Sequence, residues 1–133
     1  MTIKFYAPLW GNILTFENFC NNVKEAGYDG VEMHLPLKTK ERDHLLAILK
    51  DHDLELIGQY FQSFEADPKE NLNAYEKYLK HLIAAEPVLI NCQTGKDYFD
   101  FEENLPLFKL ADRLSKDSGI PITHETHRGK CLY

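Results

Sequence analysis

Near its carboxyl end the sequence reads Thr123-His124-Glu125-Thr126-His127-Arg128, which gathers imidazole, carboxylate and guanidinium groups in one short stretch. Such side chains can ligate a hard cation, carry a proton or hold an oxyanion. Ile120-Pro121-Ile122 leads into them as a short β-branched run suited to a buried strand. Alternation along a strand sends Thr123 and Glu125 to one face and Ile122 and His124 to the other. If Glu125, the candidate catalytic group and candidate oxygen ligand for a divalent ion, faces the opening at the strand ends, His124 is expected to turn toward covering helices as a hydrogen-bonded structural residue. One carboxylate cannot define a coordination sphere by itself. His127 and Arg128 fall in the following loop, where an arginine fork suits a phosphate, carboxylate or sugar oxygen; substrate contact and simple solvent exposure both fit them.

Further polar pairs occur at the ends of other apolar runs. In Asp29-Gly-Val-Glu-Met-His34, Glu32 and His34 share a face opposite Val31 and Met33. They can relay a proton or orient substrate hydroxyls, or they can be a buried pair that stabilises the sheet. Asn91 and Gln93 alternate in the same way after Val88-Leu-Ile and offer amides to a hydroxylated ligand. Trp10 could stack on a sugar ring or simply pack its loop.

The elements that would position these groups alternate in type. Ile3–Ala7, Asp29–His34, Leu54–Phe61, Val88–Asn91 and Ile120–Glu125 read as strands. Between them, helical stripes include Phe16, Phe19, Cys20 and Val23; Leu45, Leu46 and Leu49; Leu72, Tyr75, Leu79, Leu82 and Ile83; and Leu107, Leu110, Ala111 and Leu114. Thr15, Thr39 and Asp67 are expected N-caps, and either Asp100 with Glu103 or Asn104 ahead of Pro106 opens the last helix. Gly27 and Gly119 supply stops. Repeating βα-units of about 25 to 30 residues predict parallel strands joined by right-handed crossovers.

The chain has 133 residues, enough for one core, and 44% of them are hydrophobic. With 15 basic and 21 acidic side chains its formal charge is −6, which argues against a nucleic-acid partner. Neither a signal sequence nor an apolar run of membrane-spanning length is evident, so a cytoplasmic location is expected. Cys20, Cys92 and Cys131 lack metal or disulfide spacing and read as incidental thiols.

Five parallel strands suit either a doubly wound, flavodoxin-like binding domain or about half of an eight-stranded barrel. The strand tips carry a resemblance that favours the second. Gly27-Tyr-Asp-Gly-Val-Glu32, the loop at Gly95 and especially Pro121-Ile-Thr-His-Glu-Thr-His-Arg-Gly-Lys130 resemble the xylose-isomerase-like TIM-barrel superfamily of sugar and sugar-phosphate isomerases and epimerases, N-terminal half only. The resemblance implies a (β/α)₈ fold and a divalent metal (Mn, Mg or Zn) at the strand carboxyl ends, with Glu125 as one ligand. It also implies proton transfer beside a carbonyl through a metal-stabilised enediolate, with the second carboxylate on strand eight. The 133 residues are accordingly expected to hold at most half of the acid/base set. Gln59 and Gln93 stand where related abasic-site nucleases carry metal-binding histidines, and amides are poor zinc ligands, which argues against a multi-zinc nuclease. A non-catalytic half-barrel that pairs with a second copy through its open sheet edges is the competing expectation.

Overall fold

A computed structural model describes residues 3–132. Five strands alternate with four helices in the order β1 (Tyr6–Pro8), α1 (Phe16–Glu25), β2 (Gly30–Met33), α2 (Thr39–Asp51), β3 (Glu55–Tyr60), α3 (Pro68–Ile83), β4 (Leu89–Cys92), α4 (Phe101–Ser118) and β5 (Ile122–His124). All strand pairs are parallel, and the sheet order is simply β1-β2-β3-β4-β5. That order overturns the doubly wound alternative, because a flavodoxin-like sheet reverses direction after its first strands and so places helices on both faces. Here each crossover steps one strand further the same way, and every helix lies on one side.

The register rows identify that side. Ala7, Val31 and Leu56 lie abreast, as do Met33, Gly58, Ile90 and Ile122, and then Tyr60, Cys92 and His124. These rows supply most of the sheet's contribution to the core, against Cys20, Val23, Leu49, Tyr75, Leu79, Leu82, Leu107, Leu110 and Ala111 from the helices. The alternate rows, Pro8-Glu32-Ile57-Leu89 and Gln59-Asn91-Thr123, form the opposite face, which no element covers. It corresponds to the inside of a barrel.

Local chemistry explains the element ends. Thr15 accepts from the Asn18 amide, and Asp67 from the amides of Lys69 and Glu70 with Pro68 following. Asp100 and Glu103 form a reciprocal capping box, so Asp100 rather than Asn104 opens α4, and Pro106 sits inside the helix. Gly119 closes it in the left-handed conformation at φ 75°. Helix α2 differs from expectation: Lys38 is its N-cap and makes no side-chain cap bond, while Thr39 is already helical. The first strand starts at Tyr6 instead of Ile3, and Ile3 and Phe5 are exposed. β1 and β5 each pair on one side only, so their short ends gain little from the ladder. No described helix is long and apolar enough to cross a membrane.

Candidate functional site at the strand carboxyl ends

The open face carries its polar groups toward the strand carboxyl ends, where βα-barrels place their chemistry. The Asn91 side-chain amide donates to Glu32 Oε1 at 2.9 Å and reaches Glu125 Oε2 at 3.5 Å. The Gln93 amide approaches the same Glu125 oxygen at 3.5 Å. Three strands thus converge on one row. Glu125 itself follows β5, and its backbone N–H donates to Cys92 O at 2.8 Å, which prolongs the parallel ladder by one step and fixes where the carboxylate leaves the sheet. Alternation within each strand and the parallel register between strands together deliver Glu32, Asn91, Gln93 and Glu125 to a common face.

A second, more apolar cluster flanks this row. His34 meets Phe61 edge-on with ring centroids 5.2 Å apart, and Trp10 lies over the same Phe61 at 5.2 Å. Burial lowers the His34 pKa, favouring a neutral imidazole with one donor and one acceptor nitrogen. Trp10, Glu32, His34 and Gln59 line a cleft of about 120 Å³. That is well below the roughly 300 Å³ at which small-molecule sites begin, as expected for one wall of a site. Phe61 was not singled out from sequence, since an isolated aromatic at the end of an apolar run looks like core. A larger hollow of about 460 Å³ lies at the other end of the sheet among Leu46, Lys50, Asp53, Glu55 and Glu86, away from these groups and at the end where barrels hold stabilising contacts.

His124 points the other way. Its Nδ1 meets Thr94 Oγ1 at 2.8 Å, Thr94 Oγ1 meets the Tyr75 hydroxyl at 3.2 Å, and the ring packs tilted against Phe108 of α4 with centroids 4.5 Å apart. Burial depresses its pKa as well. His127 and Arg128 are not brought into the row: both are exposed, and His127 Nδ1 bonds to the Arg128 carbonyl at 2.9 Å. Arg128 forms no ion pair with Glu125 among the described residues. Cys20 and Cys92 are buried and pushed up to about 11 and about 12, so both remain thiols at neutral pH.

The loop after β4 is built around a residue that sequence reasoning cast only as a possible helix cap. The Asn104 amide donates to the carbonyls of Lys96, Phe99 and Asp100 at 3.0–3.2 Å, and its oxygen accepts from the Lys96 N–H at 3.3 Å. Gly95 sits against that side chain at φ 66°, where a Cβ would collide with the Asn104 amide oxygen. The glycine is required twice over, by conformation and by space.

Among the described residues no three His, Cys, Asp or Glu side chains converge, and the amide N–H groups of Asn91 and Gln93 are aimed at the carboxylate oxygens that a cation would need. These residues do not by themselves fit a metal.

A one-directional parallel sheet, helices on one face and polar side chains at the carboxyl ends of the other define the architecture of about half of a (β/α)₈ barrel. Solved structures bear this out. The probable 3-DHS dehydratase AsbF, involved in petrobactin synthesis in Bacillus anthracis, is similar over 98% of this chain with a TM-score of 0.61 at 17% identity. The 3-keto-D-glucoside 4-epimerase YcjR from E. coli, in its apo form, is similar over 97% with a TM-score of 0.70 at 14% identity. The chain spans about half the length of both, 54% and 58%. No family profile and no curated protein matches the sequence. At these identities the likeness is one of fold.

Proposed function

We propose that these residues form the substrate-facing half of an isomerase- or epimerase-type barrel that moves a proton beside the carbonyl of a small hydroxylated compound, a sugar or sugar phosphate. The observation that carries this reading is the row Glu32–Asn91–Glu125 with Gln93 beside it, on the uncovered face at the strand carboxyl ends. The Asn91 and Gln93 amide N–H groups can bind a substrate carbonyl or hydroxyl oxygen, and Glu125 lies within their reach as the group to take the proton, with the acid that returns one to the opposite face supplied from beyond these residues. Glu32 fixes the Asn91 amide, and Phe61, with His34 edge-on to it and Trp10 tilted against it, gives an apolar wall for one face of a ring. The name of one neighbour, a 3-keto-D-glucoside 4-epimerase, describes the matching chemistry. A carbon next to a ketone loses its proton to a base, the electron pair moves onto the carbonyl oxygen, and a proton returns to the opposite face. A metal at Glu125 would need ligands beyond the described residues. The rest of the barrel would come from further strands or from a second copy of the chain joined at the open edges of β1 and β5.

Solvent deuterium exchange, followed by NMR over a panel of keto sugars and their phosphates, tests the reading. Exchange is expected at a carbon adjacent to the carbonyl, and Glu125→Gln should slow it by about 100-fold or more. Absence of exchange from every compound in the panel, or unchanged exchange in Glu125→Gln, sinks the proposal.

A further inference from the structure

Among the described residues seven polar side chains are buried, and six of them, Gln62, Ser63, Asn71, Gln93, Thr94 and Asn104, hold hydrogen bonds within the protein. Gln59 is the exception: it is only 5% exposed, and its amide makes no hydrogen bond among these residues. Taking an amide out of water without a partner is unfavourable, so such a side chain in a native fold calls for a reason. Unlike the Tyr60 hydroxyl, which is sealed from solvent without a partner, the Gln59 amide opens on the cleft of about 120 Å³ that it lines with Trp10, Glu32 and His34.

The position is rigid and close to the reacting row. β3 is an inner strand, and Gln59 is in register with Asn91 of β4, so both side chains leave the sheet on its open face. Asn91 bonds to Glu32 Oε1 at 2.9 Å, and Glu32 lines the same cleft as Gln59. The cleft and the row therefore share a residue. Its lining includes one carboxylate, Glu32, and no lysine or arginine. An amide offers a donor and an acceptor together, which matches a hydroxyl that is itself both. A phosphate or carboxylate in the same place would face Glu32 with no cation to offset the repulsion.

We infer that Gln59 is a substrate-binding residue whose amide holds an uncharged hydroxyl of the substrate in the cleft lined by Trp10, Glu32 and His34, so that the part of the substrate entering there carries no phosphate. The inference rests on the proposed function for what that hydroxyl is attached to, but its binding can be read without turnover. Trp10 lines the cleft and is the single tryptophan of the chain, so its fluorescence reports occupancy. Titration with D-fructose and with D-tagatose should give a saturable change for at least one of them. Gln59→Leu and Gln59→Met should each weaken that binding by about 10-fold. In the series of monodeoxy analogues of the sugar that binds, one should lose about 10-fold against the unsubstituted protein and almost nothing against Gln59→Leu, the mark of a direct contact. A phosphate ester at the same carbon should not bind. Because the amide has no partner in the fold, both variants should melt at or above the temperature of the unsubstituted protein. No saturable change with either sugar, equal affinity in Gln59→Leu, or a lowered melting temperature in both variants overturns the inference. Binding that depends on Gln59 but comes with no proton exchange would leave the hydroxyl site standing while removing the isomerase reading. Exchange that proceeds in Gln59→Leu with an unchanged KM would do the opposite.

Discussion

At the scale of single residues, adjacent positions were given opposite tasks by strand alternation. Glu125 lies on the open side with the amides of Asn91 and Gln93, while its neighbour His124 turns back into the helix layer against Thr94 and Phe108. The pH dependence of folding follows from that second position. Because burial holds the His124 pKa below the ordinary 6.5, the unfolded chain takes up a proton more readily than the fold does. The contribution is intact above pH 6.5 and is lost as pH falls from there through the lowered folded value. His34 adds a second contribution of the same sign. Denaturant unfolding at about pH 7.5 and about pH 5.5 should show stability dropping at the lower pH. In His124→Gln that drop should shrink without vanishing, and loss of the Thr94 bond should cost about 1 kcal/mol at the higher pH. An unchanged pH slope would show that His124 does not titrate with folding.

At the scale of elements, the loop between β4 and α4 depends on one buried side chain. Asn104 is helical, yet its amide satisfies carbonyls at Lys96, Phe99 and Asp100 and so holds the loop against the first turn. Asn104→Ala would take these side-chain partners from the buried Phe99 carbonyl and from the part-buried Lys96 carbonyl and N–H, while Asp100 O keeps the Asn104 backbone N–H, and a loss of about 2 kcal/mol is expected in equilibrium unfolding. Asn104→Asp keeps the acceptor for the Lys96 N–H but loses both donor hydrogens, so it should recover little. A loss below about 0.5 kcal/mol for the alanine variant would mean that water replaces the amide there. The starts of α1 and α3 were readable because their caps are local, with Thr15 and Asp67 bonding to amides within three residues; that of α4 stayed open between Asp100 and Asn104 until the capping box of Asp100 with Glu103 decided it. The start of α2 was misplaced by one residue because the cap there carries no side-chain bond from which to read it.

At the scale of the whole molecule, the dominant feature is a sheet with helices on one face only. Ile57, Leu89 and Phe61 on the other side are only partly buried, and Trp10 is 59% exposed. Two edges and one face of this kind favour association. A purified chain of these residues should show a mass above 15.5 kDa that rises with concentration in light scattering. Thr123→Lys, which places a charge on the open face of an edge strand, should return it toward that value. A constant mass of one chain at every concentration would remove the second copy as the source of the remaining barrel wall.

The sequence by itself determined the alternation of strands and helices, the parallel arrangement and the polar groups at strand ends. These depend on periodicity, on local caps and on the two-residue repeat of a strand, all of which are written over short distances. Composition could not distinguish a doubly wound sheet from a half-barrel, because both satisfy the same βα spacing. Only the tertiary structure decided it, through a strand order set by which edges meet across long stretches of chain. The same long-range register brought Glu32 to Asn91 and Glu125 and separated His127 and Arg128 from them. Sequence adjacency said nothing about those distances, since each is fixed by how neighbouring strands are hydrogen-bonded and by how the loops beyond them are tied down.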